Sequence, residues 1–145
     1  MAVKALGVNH VAFEVDDLDA ALAWWARFFD FELRGRVPGM AFIDLGDQFV
    51  ALSEGRTQPP DAHRHVGLVV EDKEAVRRAL TDAGVEVIPA GRRLDFLDPD
   101  GNRIEVVQYD QVQFTKSPAV MRGMGLELGK TDEALAELRE KGLAA

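Results

Sequence analysis

The chain of 145 residues contains no cysteine. That excludes disulfides, thiolate metal sites and a cysteine nucleophile, and it suits a cytoplasmic protein. Long hydrophobic runs are missing too. The longest apolar-rich stretch, Leu18 to Phe29, is broken by Asp19 and Arg27, and it falls well short of the roughly 20 residues that span a bilayer. Met1 to Leu6 is too short and too mixed for a signal peptide, so no membrane partner is expected. Positive charge is in deficit, with 17 Lys and Arg against 25 Asp and Glu and a formal net charge of −8. Phosphate repels such a surface and no basic stripe offsets it, so nucleic acid is not an expected partner. What is present is a hydrophobic fraction of 47%, enough to build a core and to exclude a disordered chain. The length fits one compact domain, or two very small ones packed as a unit.

The informative pattern is an internal repeat. His10-Val11-Ala12-Phe13-Glu14-Val15-Asp16-Asp17 aligns with His65-Val66-Gly67-Leu68-Val69-Val70-Glu71-Asp72 at an offset of 55. A helical pattern follows each octet. Leu18, Ala21, Leu22, Trp25, Phe28 and Phe29 form one apolar stripe, and Ala75, Val76, Ala79, Leu80 and Ala83 form the other. Asp16 or Asp17 caps the first helix and Asp72 the second, because a carboxylate there accepts from the orphan N–H groups of the first turn. Gly84 ends the second helix. Strands are predicted at 32–37, 41–45 and 49–53 in the first copy and at 85–89, 93–97 and 103–108 in the second. Pro38-Gly39, Gly46-Asp47 and Asp98-Pro99-Asp100-Gly101 supply the turns between them.

The repeating unit is therefore β-α-β-β-β, present twice, and the fold class is α+β. Module one covers about 7–54, the linker 55–62 and module two about 63–109, together a domain over 1–110. Residues 111–145 are a C-terminal extension with an irregular stretch from Gln111 to Gly129 and a helix over 131–141. This short helical extension is expected to cover part of a sheet or a partner chain.

Strand side chains alternate between faces. Val11, Phe13 and Val15 share an apolar face that packs on the helix, while His10, Ala12 and Glu14 point the other way. In the second copy Val66, Leu68 and Val70 pack, and His65, Gly67 and Val69 point away. In the last strand Ile104 and Val106 pack, and Arg103, Glu105 and Val107 point away. His10, His65 and Glu105 thus all leave the helix-packed faces. Two imidazole nitrogens and one carboxylate suit a divalent first-row metal, and a three-ligand site leaves positions open to water or substrate. A single His at a strand start is more often a hydrogen-bonded edge residue, and a lone Glu is usually a solvated side chain. The joint placement, with both histidines at equivalent points of the repeat, favours ligands. Glu14 is a candidate general base, with a rim carboxylate as the plainer alternative. Arg92, Arg93 and Arg103 are candidates for holding an anionic substrate or simply solvated surface. His63 reads as an exposed linker residue.

Asn9-His10-Val11-Ala12-Phe13, His65-Val66-Gly67-Leu68-Val69-Val70 and the run Phe96-Leu97-Asp98-Pro99-Asp100-Gly101-Asn102-Arg103-Ile104-Glu105 resemble the vicinal oxygen chelate superfamily. That superfamily includes glyoxalase I, fosfomycin-resistance thiol transferases, bleomycin-binding proteins and extradiol dioxygenases. The resemblance covers residues 7 to about 109. It implies two βαβββ modules whose curved mixed sheets form a metal-holding cup, the glyoxalase/dioxygenase-like fold, with His10, His65 and Glu105 as ligands. It also implies Lewis-acid chemistry on two adjacent substrate oxygens. Glyoxalase I has a fourth ligand, a Glu in the last strand of the first copy. Face alternation puts Ala51 at that place, and alanine cannot ligate. The fosfomycin enzymes usually carry a hydroxyl residue two positions after the first ligand His, where this chain has Ala12. Extradiol dioxygenases add His and Tyr residues around the metal, for which His63 and Tyr109 are the only candidates.

The expected function is a divalent-metal-dependent enzyme, using Fe2+, Mn2+, Ni2+ or Zn2+, that chelates vicinal oxygens of a small molecule. Dioxygenase chemistry is slightly favoured, because two His and a carboxylate suit ferrous iron with room for substrate and O2. Glyoxalase-like isomerase or lyase chemistry stands close behind. The alternatives are a metal-independent drug-binding protein of the bleomycin-resistance type and a fosfomycin-type thiol transferase. The resemblance further implies a homodimer, in some members with modules exchanged between chains.

Overall fold

Alternating burial sets the first strand. In β1 (His10–Val15), Phe13 and Val15 are buried while His10 and Ala12 are exposed, the period-two pattern of a strand packed on one face. The chain then turns at Asp17, whose carboxylate accepts from the Ala20 N–H at 2.7 Å and so satisfies one orphan donor of α1 (Leu18–Trp25). α1 buries Leu18, Ala21 and Trp25. It ends short of the predicted stripe, because the backbone tightens into i→i+3 bonds from Arg27 N to Trp24 O and from Phe28 N to Trp25 O. Phe29 still packs near Trp25, with ring centroids 5.4 Å apart. β2 (Leu33–Val37), β3 (Met40–Asp44) and β4 (Phe49–Glu54) complete a four-stranded mixed sheet in the order β1-β4-β3-β2, with β4 parallel to β1 and antiparallel to β3.

The same plan recurs further along. β5 (Val66–Val70) leads to α2 (Lys73–Asp82), which Asp72 caps through the Ala75 N–H at 2.9 Å. Gly84 follows at φ +73°, a backbone conformation that glycine adopts without a Cβ penalty. β6 (Val87–Ile88), β7 (Leu94–Leu97) and β8 (Arg103–Gln108) give a second four-stranded mixed sheet, β5-β8-β7-β6. β6 is shorter than its predicted span. It lies at the sheet edge, and Pro89, which has no N–H to donate, follows it at once. The computed structural model describes residues 1–144 and divides into two compact units, Met1–Pro59 and a second beginning at Pro60. Val15, Trp25, Ile43, Val50 and Leu52 anchor the core of the first unit. Leu80, Leu94, Phe96, Ile104 and Val106 anchor that of the second.

The Asp98-Pro99-Asp100-Gly101 turn joins β7 to β8. Asp98 is buried and accepts from Asp100 N at 3.0 Å and from Asn102 N and Nδ2 at 2.8 Å each. A Cβ on Gly101, which sits at φ +84°, would lie 2.7 Å from Pro60 Cα, so only glycine fits. Burial raises the Asp98 carboxyl above its usual range, and the bonds from Asn102 and Asp100 offset this in part. The folded chain therefore keeps this proton at pH values where the unfolded chain has lost it. Its contribution to stability declines as pH rises from the ordinary Asp value of about 3.9 through the raised folded value, and is flat above. Asp98→Asn removes that slope. Urea unfolding of both proteins across this window should show the wild type losing stability relative to the variant as pH rises, and a constant difference would refute it.

The stretch expected to be irregular holds a short helix, α3 (Pro118–Gly123). Ser117 caps it through Val120 N at 3.2 Å, and proline occupies its first position. Only Met121 in it is buried, so it carries no apolar periodicity, and the Ser-Pro start was its one sequence signal. Thr131 caps α4 (Asp132–Glu140), which buries Ala134 and Leu138 and is followed by Gly142 at φ +72°. The Lys130 ammonium lies over the Tyr109 ring, 3.4 Å from its centroid, and donates to the carbonyls of Tyr109, Val112 and Phe114. Desolvation holds it below the ordinary lysine range, with Asp110 opposing. Among the described residues no helix is long and apolar enough to cross a membrane.

Candidate metal centre

The strand registers place equivalent residues of the repeat at equivalent points. Ala12 pairs with Ala51 across β1 and β4, and Gly67 pairs with Glu105 across β5 and β8. Ala12 and Gly67 correspond in the repeat, so Ala51 stands where Glu105 stands. It is buried, and its methyl offers no donor.

His65 immediately precedes β5, and its Nδ1 lies 2.9 Å from the His63 carbonyl. A carbonyl only accepts, so Nδ1 carries the proton and Nε2 presents its lone pair. That lone pair faces Glu105 Oε1 at 3.5 Å. Two acceptors this close call for a proton or a cation between them. Donors about 2.1 Å from one cation, at angles of about 90–110°, stand about 3.0–3.4 Å apart, so the pair is within a few tenths of an ångström of ligating geometry.

His10 is held in the same way. Its Nδ1 lies 2.9 Å from Asn9 Oδ1, which leaves Nε2 as the acceptor. Its ring stacks on Phe49 at 4.6 Å and 6°. The Phe49 ring also meets the Arg34 guanidinium, 4.4 Å from its centroid, and the edge of Phe42 at 5.8 Å. His10 belongs to the first unit, and His65 and Glu105 to the second. Among the described residues, neither unit by itself gathers three His, Asp or Glu side chains into a metal site.

Sequence reasoning missed Asp95. It lies opposite Glu105 across β7 and β8 and is 0% exposed. Arg93 grips it with a fork, Nε to Oδ1 at 3.1 Å and Nη2 to Oδ2 at 2.7 Å, and Arg103 Nε reaches Oδ2 at 2.9 Å. Arg93 Nη2 also lies 3.2 Å from Glu105 Oε1, so one guanidinium bridges two carboxylates. Arg103 donates further to the Ala62 carbonyl. Two of the three arginines considered as anion holders are thus already paired with a buried acid. Arg92 contributes its main-chain carbonyl, which accepts from Lys73 Nζ at 3.0 Å. The available signal for Asp95 was an acid at the centre of an apolar strand, on the face parity of Arg93. At the matching positions of the first sheet Phe42 pairs with Ala51 as Asp95 pairs with Glu105, and the Phe42 ring meets Phe49 instead of arginine.

Glu14 lies beside the start of the linker. Its Oε1 accepts from Thr57 Oγ1 at 2.6 Å, and its Oε2 from Thr57 N at 3.1 Å and Gln58 N at 3.2 Å. Oε1 therefore holds the Thr57 hydroxyl, and Oε2 holds the backbone at Thr57 and Gln58. Arg56 adds an ion pair to Asp16 at 3.5 Å.

The twice-repeated β-α-β-β-β plan is that of a known class. The chain belongs to the glyoxalase/bleomycin resistance protein/dioxygenase superfamily, which it matches over residues 7–106. Its relatives include the metallothiol transferase FosB of Bacillus licheniformis, 28% identical over 127 residues that cover 77% of this chain and 82% of the relative. They also include the glutathione transferase FosA of Serratia marcescens, 30% identical over 110 residues, 68% of this chain and 78% of that protein. Among solved structures, the fosfomycin resistance protein FosX from Listeria monocytogenes, complexed with Mn(II) and 1S,2S-dihydroxypropylphosphonic acid, has the same fold. Its TM-score is 0.61 at 20% identity, covering 71% of this chain and 90% of that one. FosX from Mesorhizobium loti gives a TM-score of 0.60 at 21% identity, covering 71% and 91%.

Proposed function

We propose that the chain is a divalent-metal-dependent transferase that adds a small thiol to an epoxide carbon of a compact phosphonate, the C–S bond forming as the ring C–O bond breaks and the thiol proton passing to the released oxygen, with His10, His65 and Glu105 as metal ligands. The observation that carries this reading is His65 Nε2 facing Glu105 Oε1 at 3.5 Å with the imidazole proton held on Nδ1. FosB and FosA, transferases by name, turn the chemistry from the favoured dioxygenase reading to the thiol-transfer alternative.

When bound, the metal supplies Lewis-acid polarisation of a substrate oxygen. The chain's own groups do the rest. Asn9 and the His63 carbonyl orient the two imidazoles. Ala51 adds no fourth ligand, which leaves room for substrate oxygens. Arg93, part-exposed beside Glu105, is placed to meet an anionic group. No cysteine is available within the chain, so the thiol arrives as a second substrate. Glu14, considered as the general base, is assigned instead to anchoring Thr57 and Gln58. We take the active form to be a cytoplasmic homodimer; exposed Val8, Leu33 and Val37 supply apolar surface for pairing.

The test is to strip the protein with chelator, reload it separately with Mn2+, Fe2+, Ni2+ and Zn2+, and follow thiol consumption with fosfomycin plus glutathione or cysteine. At least one metal should restore turnover and stabilise the fold by about 2.7 kcal/mol at a hundredfold excess over its dissociation constant. No turnover and no stabilisation with any of the four would overturn the reading.

A further inference from the structure

We propose that Arg93 is an exchangeable counter-ion for Glu105. It holds this carboxylate, yields it when a divalent metal binds, and, still tied to Asp95, turns to an anionic group of the substrate. The inference rests on the metal-centre reading above.

The number of bonds and the burial of each acid, Asp95 at 0% exposed and Glu105 at 24%, single out which contact gives way. Arg93 makes two bonds to Asp95, at 3.1 and 2.7 Å, and one longer contact to Glu105, at 3.2 Å. That contact falls on Oε1, the same oxygen that faces His65 Nε2. A metal between His65 and Glu105 and the Arg93 guanidinium therefore compete for one atom, and their like charges repel across a short, partly buried distance. The fork to Asp95 uses Nε and Nη2 and keeps the guanidinium beside the site after Glu105 is released. Nη1 takes part in none of these bonds and remains for an incoming anion. The Arg93 side chain is 41% exposed, so an anion reaches it from solvent, whereas Arg103 is 16% exposed and tied to both Asp95 and the Ala62 carbonyl. Exchange therefore belongs to Arg93 and not to Arg103.

Charge balance points the same way. Asp95 and Glu105 oppose Arg93 and Arg103 two against two, so these four side chains balance among themselves. A divalent ion adds two uncompensated charges beside a released guanidinium. Negative groups on a substrate balance them.

Mn2+ binding to the full-length protein is measured by calorimetry, with and without inorganic phosphate, for wild type, Arg93→Met and Arg93→Lys. Arg93→Met should bind Mn2+ about tenfold more tightly than wild type. The tightening of Mn2+ that phosphate produces in wild type should shrink severalfold in the same variant. Arg93→Lys keeps the charge and should return the Mn2+ affinity to near wild type. Asp95 keeps its Arg103 bond in each variant, and Arg93→Gln, neutral and able to hydrogen-bond, carries the same expectation if the Met variant does not fold. Mn2+ affinity that is unchanged or weaker in the neutral variants, with wild type binding normally, overturns this proposal alone. Absence of Mn2+ binding in wild type overturns the metal-centre reading, and this proposal falls with it.

Discussion

Replacing His65 with alanine is expected to weaken divalent-metal binding by at least about a hundredfold while leaving the fold intact. Losing a group that merely supports a ligand costs about 10–100-fold in metal affinity, and losing a direct donor costs more. The stability cost is expected to be small, within about 1 kcal/mol, because His65 is exposed and lies just outside β5. Glu105 keeps its contact with Arg93 in the variant, so no charge is left stranded. Calorimetric titration and a melting curve on the same sample separate the two effects. Normal metal binding by a folded His65→Ala protein would show that the ligand assignment is wrong.

Asp95→Ala is expected to cost about 3 kcal/mol of stability. Removing one partner of a buried ion pair typically costs about 3–5 kcal/mol, because the remaining charge loses both water and its counter-charge. The lower end applies here. Arg93 is part-exposed and can turn to water and Glu105, while Arg103 keeps the Ala62 carbonyl. Urea unfolding at constant slope reads the change as a lowered midpoint. A loss below about 1 kcal/mol would place Asp95 with ordinary surface ion pairs and remove the rigid tether on which the exchange at Arg93 depends.

The parts of this architecture that depend on local rules were legible in the sequence. Asp17 and Asp72 cap the two repeat helices because a carboxylate before an apolar stripe has one good use there. Period-two alternation put His65 and Glu105 on one face, and the register of β5 with β8 brings them together. What was not legible depends on partners far along the chain. Glu14 has the parity of a site residue, but its oxygens are taken by Thr57 and Gln58, 43 and 44 positions away. Arg93 and Arg103 read as anion holders or solvated surface, and the acid between them is identified only by the pairing of β7 with β8. The slight preference for a dioxygenase had no deciding residue behind it, for a chemical reason. Two imidazoles and a carboxylate serve several reactions, and the donor set does not choose among them.

The two imidazoles are steadied by different kinds of group, and this bears on how each site tolerates mutation. Residue 63 lends a main-chain oxygen, which every amino acid possesses, so its side chain is free to drift without changing the tautomer of His65. Residue 9 lends a side-chain amide oxygen, and few replacements carry an acceptor of that reach. A leucine there would leave the His10 ring free to exchange its proton between nitrogens, so one codon is permissive and the other constrained although they serve the same purpose.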